Sequence, residues 1–306
     1  MRSRWNGKDK SHKMKKVDDV LRGFRAKPDD IIIPVMGLTG VGKSTFINTA
    51  VGKVVTPVGH GLHSCTAEIQ HAFCACPSDP SRRVVLVDTP GFDDTFMDDS
   101  VVLSRIAVWL ASSYGNDMKL AGVLYIHDIS QPRLSGVSHN NLDTFRKLCG
   151  EHAEKNVIIA TTKWGEVTQE VGERCEQQLK STTWKKMVEN GSQVARFDGS
   201  RKSAWDVMMP ILANNAAVGA LRIQEELVDL GRMIPETDAG RALRVTLKGV
   251  AEAHKRAVEE LKRNVGDDEQ RQRMKDNEKE LLELLTEIQE LKVPLGTRIK
   301  AWFGLG

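Results

Sequence analysis

Nine residues, Gly37-Leu38-Thr39-Gly40-Val41-Gly42-Lys43-Ser44-Thr45, constrain this chain more than any other stretch. They follow directly on an apolar, β-branched run, Ile31-Ile32-Ile33-Pro34-Val35-Met36, and lead into Ser44 to Ala50, which reads as the start of a helix. A strand, a glycine-rich turn and a helix in that order build a loop that can grip phosphate. Glycine lets main-chain N–H groups close around phosphate oxygens, and the helix end adds partial positive charge. The spacing G-x-x-x-x-G-K-[ST] places the Lys43 ammonium in reach of β- and γ-phosphates and the Ser44 hydroxyl where it can ligate Mg²⁺. Thr39, Gly40, Val41, Gly42 and Thr45 are the other candidate phosphate contacts of this loop.

Composition narrows the class. A net charge of +3 over 306 residues does not force a nucleic-acid partner, and none of specific sequence is expected. No apolar run reaches the roughly 18 residues of a membrane span. The opening MRSRWNGKDKSHKMKK holds no apolar core of a secretory leader. Five cysteines without a dense framework fit a reducing, cytoplasmic setting. Cys74 and Cys76 share one face of a strand but lack the further Cys/His pair that zinc needs, so they read as ordinary small residues.

Three regions follow from pattern and charge. Residues 1–27 form a basic arm, ten Lys or Arg against three Asp, suited at most to an anionic surface. Residues 28–215 alternate strand and helix. Strands are expected at Ile31–Met36, Ala67–Cys76, Arg83–Asp88, Leu120–His127, Asn156–Thr161 and Val194–Phe197. Helices are expected at Asp98–Tyr114, Ser138–Cys149, Glu166–Glu189 with a break near Thr182-Thr183, and Ser203–Asn214. Continuous apolar strands between helices predict a three-layer α/β sandwich with a mostly parallel sheet, whose ligands bind at the carboxyl ends of the strands. Residues 216–306 predict a charged helical extension. Leu243, Leu247, Val250, His254, Ala257 and Leu261 make a coiled-coil-like seam, and Leu281 to Leu291 a second apolar stripe. Packing back on the domain and pairing with a second chain both stay open. The end, with Leu295, Ile299, Trp302 and Phe303 on one face, suits either an interfacial membrane contact or a docking peptide.

Every further motif falls at a strand end. Asp88-Thr89-Pro90-Gly91 closes the run RVVLVD, placing a carboxylate for Mg²⁺ and a glycine whose N–H can approach a γ-phosphate. Between the two loops, Thr66 is the candidate to meet Mg²⁺ and the γ-phosphate, with Ser64 as competitor and Gly59 and Gly61 suiting a loop that orders with triphosphate. Thr161-Thr162-Lys163-Trp164-Gly165-Glu166 and Arg196-Phe197-Asp198-Gly199-Ser200 stand where a base would be read, with Thr162, Lys163, Gly199 and Ser200 as base-side contacts.

This ordered set resembles the TRAFAC class of P-loop GTPases, and within it the septin/GIMAP/Toc (paraseptin-like) branch, especially its fungal G-domain proteins. The resemblance rests on the Ser64-Cys65-Thr66 switch, the turn from Asp88 to Asp94 and the helical extension, and covers residues 30–214. It implies GTP or GDP with Mg²⁺. Gly37, Lys43, Ser44 and Thr45 would contact phosphate and metal, and Thr66 would lie in the first switch. Asp88 and Gly91 would lie in the second, and Thr162 and Lys163 beside the base. It also implies nucleotide-dependent self-association, through the G domain or the C-terminal helices, often at membranes.

Two positions depart from the family pattern. The guanine-reading [NT]-K-x-D becomes Thr162-Lys163-Trp164-Gly165, so the carboxylate is missing, with Glu166 one residue on. An unpaired guanine edge costs roughly 1–3 kcal/mol. The position that orients the attacking water in Ras-like GTPases holds Phe92. A phenyl ring cannot do this, so slow turnover is expected, with missing groups supplied by a partner, by a second copy, or by His60 or His63. The reading is a GTP-binding switch with slow Mg²⁺-dependent hydrolysis, in which Lys43, Thr66 and Gly91 act on the reacting phosphate. The rivals are a non-hydrolysing, nucleotide-bound scaffold that uses its C-terminal helices, and an NTPase of relaxed base choice.

Overall fold

The computed structural model describes residues 27, 29–56, 69–77, 79–93, 99–115, 118–131, 136–213 and 219–243. Six strands form one sheet in the order β2-β3-β1-β4-β5-β6. They are β1 Ile31–Gly37, β2 Gln70–Cys76, β3 Asp79–Asp88, β4 Val123–Asp128, β5 Val157–Thr162 and β6 Gln193–Arg196. Only β2 runs antiparallel, paired with β3 as a hairpin; every other neighbouring pair is parallel. The α-helices of the sheet domain among the described residues are α1 Lys43–Val51, α2 Asp99–Gly115, α3 Gly136–Cys149, α4 Gln169–Ser181, α5 Lys185–Glu189 and α6 Arg201–Ala213.

The chain leaves β1 for β3 on one side and then returns past β1 to β4 on the other. Right-handed crossovers therefore put α1 on one face of the sheet and α2 and α3 on the other. Contacts agree. On the first face the Trp205 indole of α6 donates to the Ala50 carbonyl of α1 at 3.2 Å, and Phe197 meets Phe46 edge-on at 5.1 Å. On the second, Tyr125 of β4 stacks against Phe145 of α3 at 4.6 Å, and His127 meets Trp184 edge-on at 5.1 Å. The central strands are buried on both faces, which is why β1, β4 and β5 are apolar almost throughout. The reversal of direction at β1 leaves a crevice at its carboxyl end, where the glycine-rich loop begins.

Differences from the sequence reading have local causes. Strand β3 begins at Asp79, four residues before the expected Arg83, because Asp79 pairs with Cys76 of β2; the register then shifts and pairing resumes with Arg83 opposite Ala75. Strand β4 starts three residues later than Leu120, which makes only an isolated bridge to Ile32. The expected helix from Glu166 becomes a 3₁₀ turn, Trp164–Glu166, followed by α4 from Gln169 with Thr168 as its cap. The break falls at Thr182 to Trp184, between α4 and α5. Of the expected extension, residues 219–243 are described. They bury Leu221, Ile223, Leu227, Val228 and Ile234, and Gln224 donates to the Leu110 carbonyl of α2 at 2.9 Å. Buried Glu226 receives Arg232 and the Asp238 N–H. The seam beyond Leu243, the C-terminal stripe and the basic arm before Lys27 lie outside the described residues.

His127 predicts a pH effect. It is 4% exposed, and among the described residues its Nε2 has no hydrogen-bond partner. Burial holds its imidazole down at about 4, against the smaller upward pull of the neighbouring Asp128 carboxylate. In the unfolded chain it protonates near 6.5. Between those values the unfolded state binds more protons, so stability falls as pH falls, by about 3 kcal/mol in all. Melting temperatures taken from pH 7 to pH 4 should show that decline, and it should be shallower in His127→Leu; identical slopes would reject the assignment.

Candidate functional site

The site grows from the carboxyl ends of β1, β3, β4, β5 and β6. The chain leaves β1 at Gly37 and turns through Thr39 and Gly40 into α1. Gly42, just before that helix, takes φ 98°, a left-handed conformation a side chain would oppose. This geometry lets α1 start with Lys43 already in its first turn. Lys43 is only 6% exposed, and its Nζ donates to the Leu38 carbonyl at 2.8 Å and to the Gly37 carbonyl at 3.3 Å. The ammonium is thus held inside the arc of the loop, against the carbonyls with which the loop begins.

Two bonds tie the loop to the end of β3. Ser44 Oγ donates to Asp88 Oδ2 at 2.7 Å, and the Thr39 N–H donates to the Phe92 carbonyl at 2.8 Å. Thr89 donates to the Val35 carbonyl of β1 at 2.9 Å, fixing the turn between them. Gly91 sits closest of all: a Cβ there would fall 2.4 Å from Thr39 Oγ1, 2.6 Å from Thr39 N and 2.7 Å from Lys43 Nζ. The residues expected from sequence at the phosphate and metal end, Thr39 to Ser44 with Asp88 and Gly91, are therefore brought together. Thr66 lies outside the described residues, as do Gly59, His60, Gly61, His63, Ser64 and Asp94. Phe92 is 1% exposed, so its ring belongs to the core and only its main chain faces the loop.

A third bond ties the loop to β5. The Thr162 hydroxyl lies 2.7 Å from the Val41 carbonyl and 3.1 Å from the His127 carbonyl, which fixes the base-side strand against the phosphate side. Lys163 follows with φ 58°, and its Nζ pairs with Asp128 Oδ2 at 2.8 Å. Burial raises the affinity of Asp128 for a proton, but Lys163 and Ser130 outweigh it and leave the carboxyl below its ordinary value. Trp164 is turned away: its indole donates to Thr161 Oγ1 at 3.0 Å and its ring lies under the Arg196 guanidinium at 4.3 Å. Gly165 is exposed, and a Cβ there would meet nothing within 4 Å. Gly199 and Ser200 stand at the end of β6, where Ser200 Oγ accepts from the Ser203 N–H at 3.0 Å and opens α6.

Sequence reasoning missed Asn48. Its Oδ1 accepts from the Val55 N–H at 2.8 Å and the Thr56 N–H at 3.0 Å, and its Nδ2 donates to the Thr56 carbonyl at 2.8 Å. That clamp anchors the start of the loop leading to Thr66. The available signal was an amide beside the apolar residues Phe46, Ile47 and Ala50 of one short helix.

A hydroxyl and a carboxylate held 2.7 Å apart are hard oxygen donors of the kind Mg²⁺ takes, and the arc around Lys43 suits a polyphosphate. Residues 32–163 match the family described as 50S ribosome-binding GTPase. Residues 31–213 have the P-loop GTPase fold. GTP-binding protein A of Dictyostelium discoideum is 26% identical over 157 residues, 51% of this chain and 32% of that protein, so the match spans about a third of the relative's length. A structure of the chloroplast translocon components atToc33 and psToc159 superposes with a TM-score of 0.50 at 11% identity, over 68% of this chain and 94% of that one. Toc33 from Arabidopsis thaliana with Mg²⁺ and GMPPNP gives 0.49 at 14% identity, over 68% and 94%. Among the described residues no group of three or more His, Cys, Asp or Glu forms a metal cluster, and no helix is long and apolar enough to cross a membrane.

Proposed function

We propose that this chain is a guanine-nucleotide-binding switch with slow, Mg²⁺-dependent GTP hydrolysis. The observation that carries the reading is the Ser44–Asp88 bond, which joins the phosphate loop to the end of β3 at the point where one cation would be shared. The amides from Thr39 to Thr45 bind the phosphates, and Lys43 stabilises charge that develops on the β–γ bridge and the leaving diphosphate. Gly91 presents its N–H to the γ-phosphate. Ser44, Asp88 and Thr66 would hold Mg²⁺, which would supply positive charge to offset the charge developing on the phosphates. Thr162, Lys163, Gly199 and Ser200 line the base side.

Phe92 supports slow turnover, since its ring is committed to the core and leaves water without an orienting amide at that position. A second copy, meeting through the G domain or the C-terminal helices, is then the proposed source of the missing group. Dimerization is important for the GTPase activity of the chloroplast translocon components atToc33 and psToc159. The switch from Ser64 to Thr66 and the turn from Asp88 to Asp94 support placing the chain in the septin/GIMAP/Toc branch. A cytoplasmic location with peripheral membrane contact, and a division into arm, G domain and helical extension, complete the proposal. The same buried Phe92 favours one second reading, a non-hydrolysing scaffold held in one shape by nucleotide.

Calorimetry of the full chain with Mg²⁺ should show uptake of GTP and GDP that ATP does not displace. Phosphate release should rise more steeply than linearly with protein concentration. Binding without any release, even in concentrated protein, would select the scaffold, and no uptake of any purine nucleotide would end both readings.

A further inference from the structure

We propose that Asp198 is the carboxylate that reads the guanine edge, in place of the acid missing at Gly165. The proposal rests on the guanine-nucleotide reading of this site.

The loop after β5 offers little to a base edge. Gly165 has no side chain, Trp164 is bonded to Thr161 and covered by Arg196, and Lys163 is paired with Asp128. The adjacent strand end is better placed. Strands β5 and β6 pair in register, Thr161 with Arg196, and the Phe197 N–H donates to the Thr161 carbonyl at 2.8 Å. The ladder ends there, so Asp198 and Lys163 each stand two residues beyond the last pair, Arg196 and Thr161, on the loops that leave neighbouring strand ends. Phe197 locks this end against Phe46 in the first turn of α1, so Asp198 stands beside the helix that begins at the phosphate loop.

The carboxylate is fixed and charged. Its Oδ1 accepts from Ser203 Oγ at 2.6 Å and from the Ser200 N–H at 2.8 Å. Those bonds, the Ser203 hydroxyl first, hold the acid down at about 2. Both use Oδ1, and among the described residues Oδ2 accepts no hydrogen bond. Opening α6 needs only the first oxygen. The second has the chemistry that the N1–H and N2–H₂ donors of guanine require. At the same edge adenine presents a lone pair on N1, which a carboxylate repels. One acid at this place would therefore attract guanine and reject adenine, although the position that usually supplies it is glycine.

The test is Asp198→Asn in the full chain. Asparagine keeps the Oδ1 acceptor for Ser200 and Ser203 but turns Oδ2 into an N–H donor. GDP affinity, by calorimetry with Mg²⁺, should fall roughly ten- to hundredfold. Affinity for xanthosine diphosphate, whose C2 carbonyl accepts from that N–H, should rise by a similar factor, while the melting temperature without nucleotide stays close to wild type. Wild-type GDP affinity in Asp198→Asn would overturn the proposal and leave the guanine reading standing. So would the same exchange of preference appearing in Glu166→Gln instead. Failure of the wild-type chain to bind GDP would remove the underlying reading and Asp198 with it.

Discussion

Replacing Gly91 by alanine should cost more triphosphate affinity than any other single methyl added to this domain. The new Cβ would sit 2.6 Å from the Thr39 amide nitrogen and 2.4 Å from its hydroxyl, well inside van der Waals contact. Lys43 Nζ, 2.7 Å away, can swing on its stem; the Thr39 main chain cannot, because its N–H is bonded to the Phe92 carbonyl. Relief requires the turn after β3 to separate from the phosphate loop, which breaks that bond and shifts the amide meant for the γ-phosphate. Overpacking of this kind costs about 1–3 kcal/mol in stability. The loss of GTP affinity should fall at the upper end of that range, on the order of a hundredfold, since the displaced amide is one of the donors the γ-phosphate needs. GDP, which has no γ-phosphate, should lose less. Gly165→Ala is the control: its Cβ meets nothing, and its melting temperature should match wild type. Equal affinity of Gly91→Ala for GTP, measured by competition, would show that the two loops do not close on a common phosphate.

The parts of this molecule legible in its sequence are those where local chemistry decides the outcome. Ile31 to Met36 and Val157 to Ala160 are buried on both faces, so only apolar, mostly β-branched residues fit, and the run announces the strand. Gly42 is needed for a backbone that other residues resist, so its spacing from Lys43 announces the loop. Legibility ends where a distant partner decides. Asp79 lies four residues before the apolar run that announces β3, yet its pairing with Cys76 of β2 carries the strand back to it. Phe92 falls in the slot of a water-orienting residue by motif, but its ring is claimed by the core below. Asn48 is an unremarkable helix residue until Val55 and Thr56 return to meet it. Asp128 closes an apolar strand run, and only the fold shows Lys163 turning back to it. Asp198 is the sharpest case. Its position after the last strand was visible, but the assignment of its two oxygens, one engaged and one open, depends on Ser203 arriving from α6.

Lys43→Ala should abolish useful binding of GTP and weaken that of GDP, which lacks the γ-phosphate, by less. A charge-assisted hydrogen bond contributes about 1.5–3 kcal/mol, and this ammonium is placed to make two, one to each of the outer phosphates. Their joint loss corresponds to roughly a hundred- to ten-thousandfold in affinity. The residue also has a structural role that must be separated from this. Its Nζ donates to the Leu38 and Gly37 carbonyls inside a buried arc, and truncation removes that donor. The nucleotide-free variant should therefore melt somewhat below wild type, by the equivalent of about 1–3 kcal/mol. The informative quantity is the shift on adding nucleotide. At a GTP concentration a hundred times the wild-type dissociation constant, binding stabilises the wild-type fold by about 2.7 kcal/mol, and the variant should gain at most about 0.4 kcal/mol. Arginine does not restore the site, because its planar fork is broader than an ammonium and Gly91 stands so near that a Cβ added to it would lie 2.7 Å from Lys43 Nζ. A nucleotide-induced shift in Lys43→Ala as large as in wild type would mean that the phosphate tail is held elsewhere, and the Ser44–Asp88 pair would then need another explanation than a shared cation.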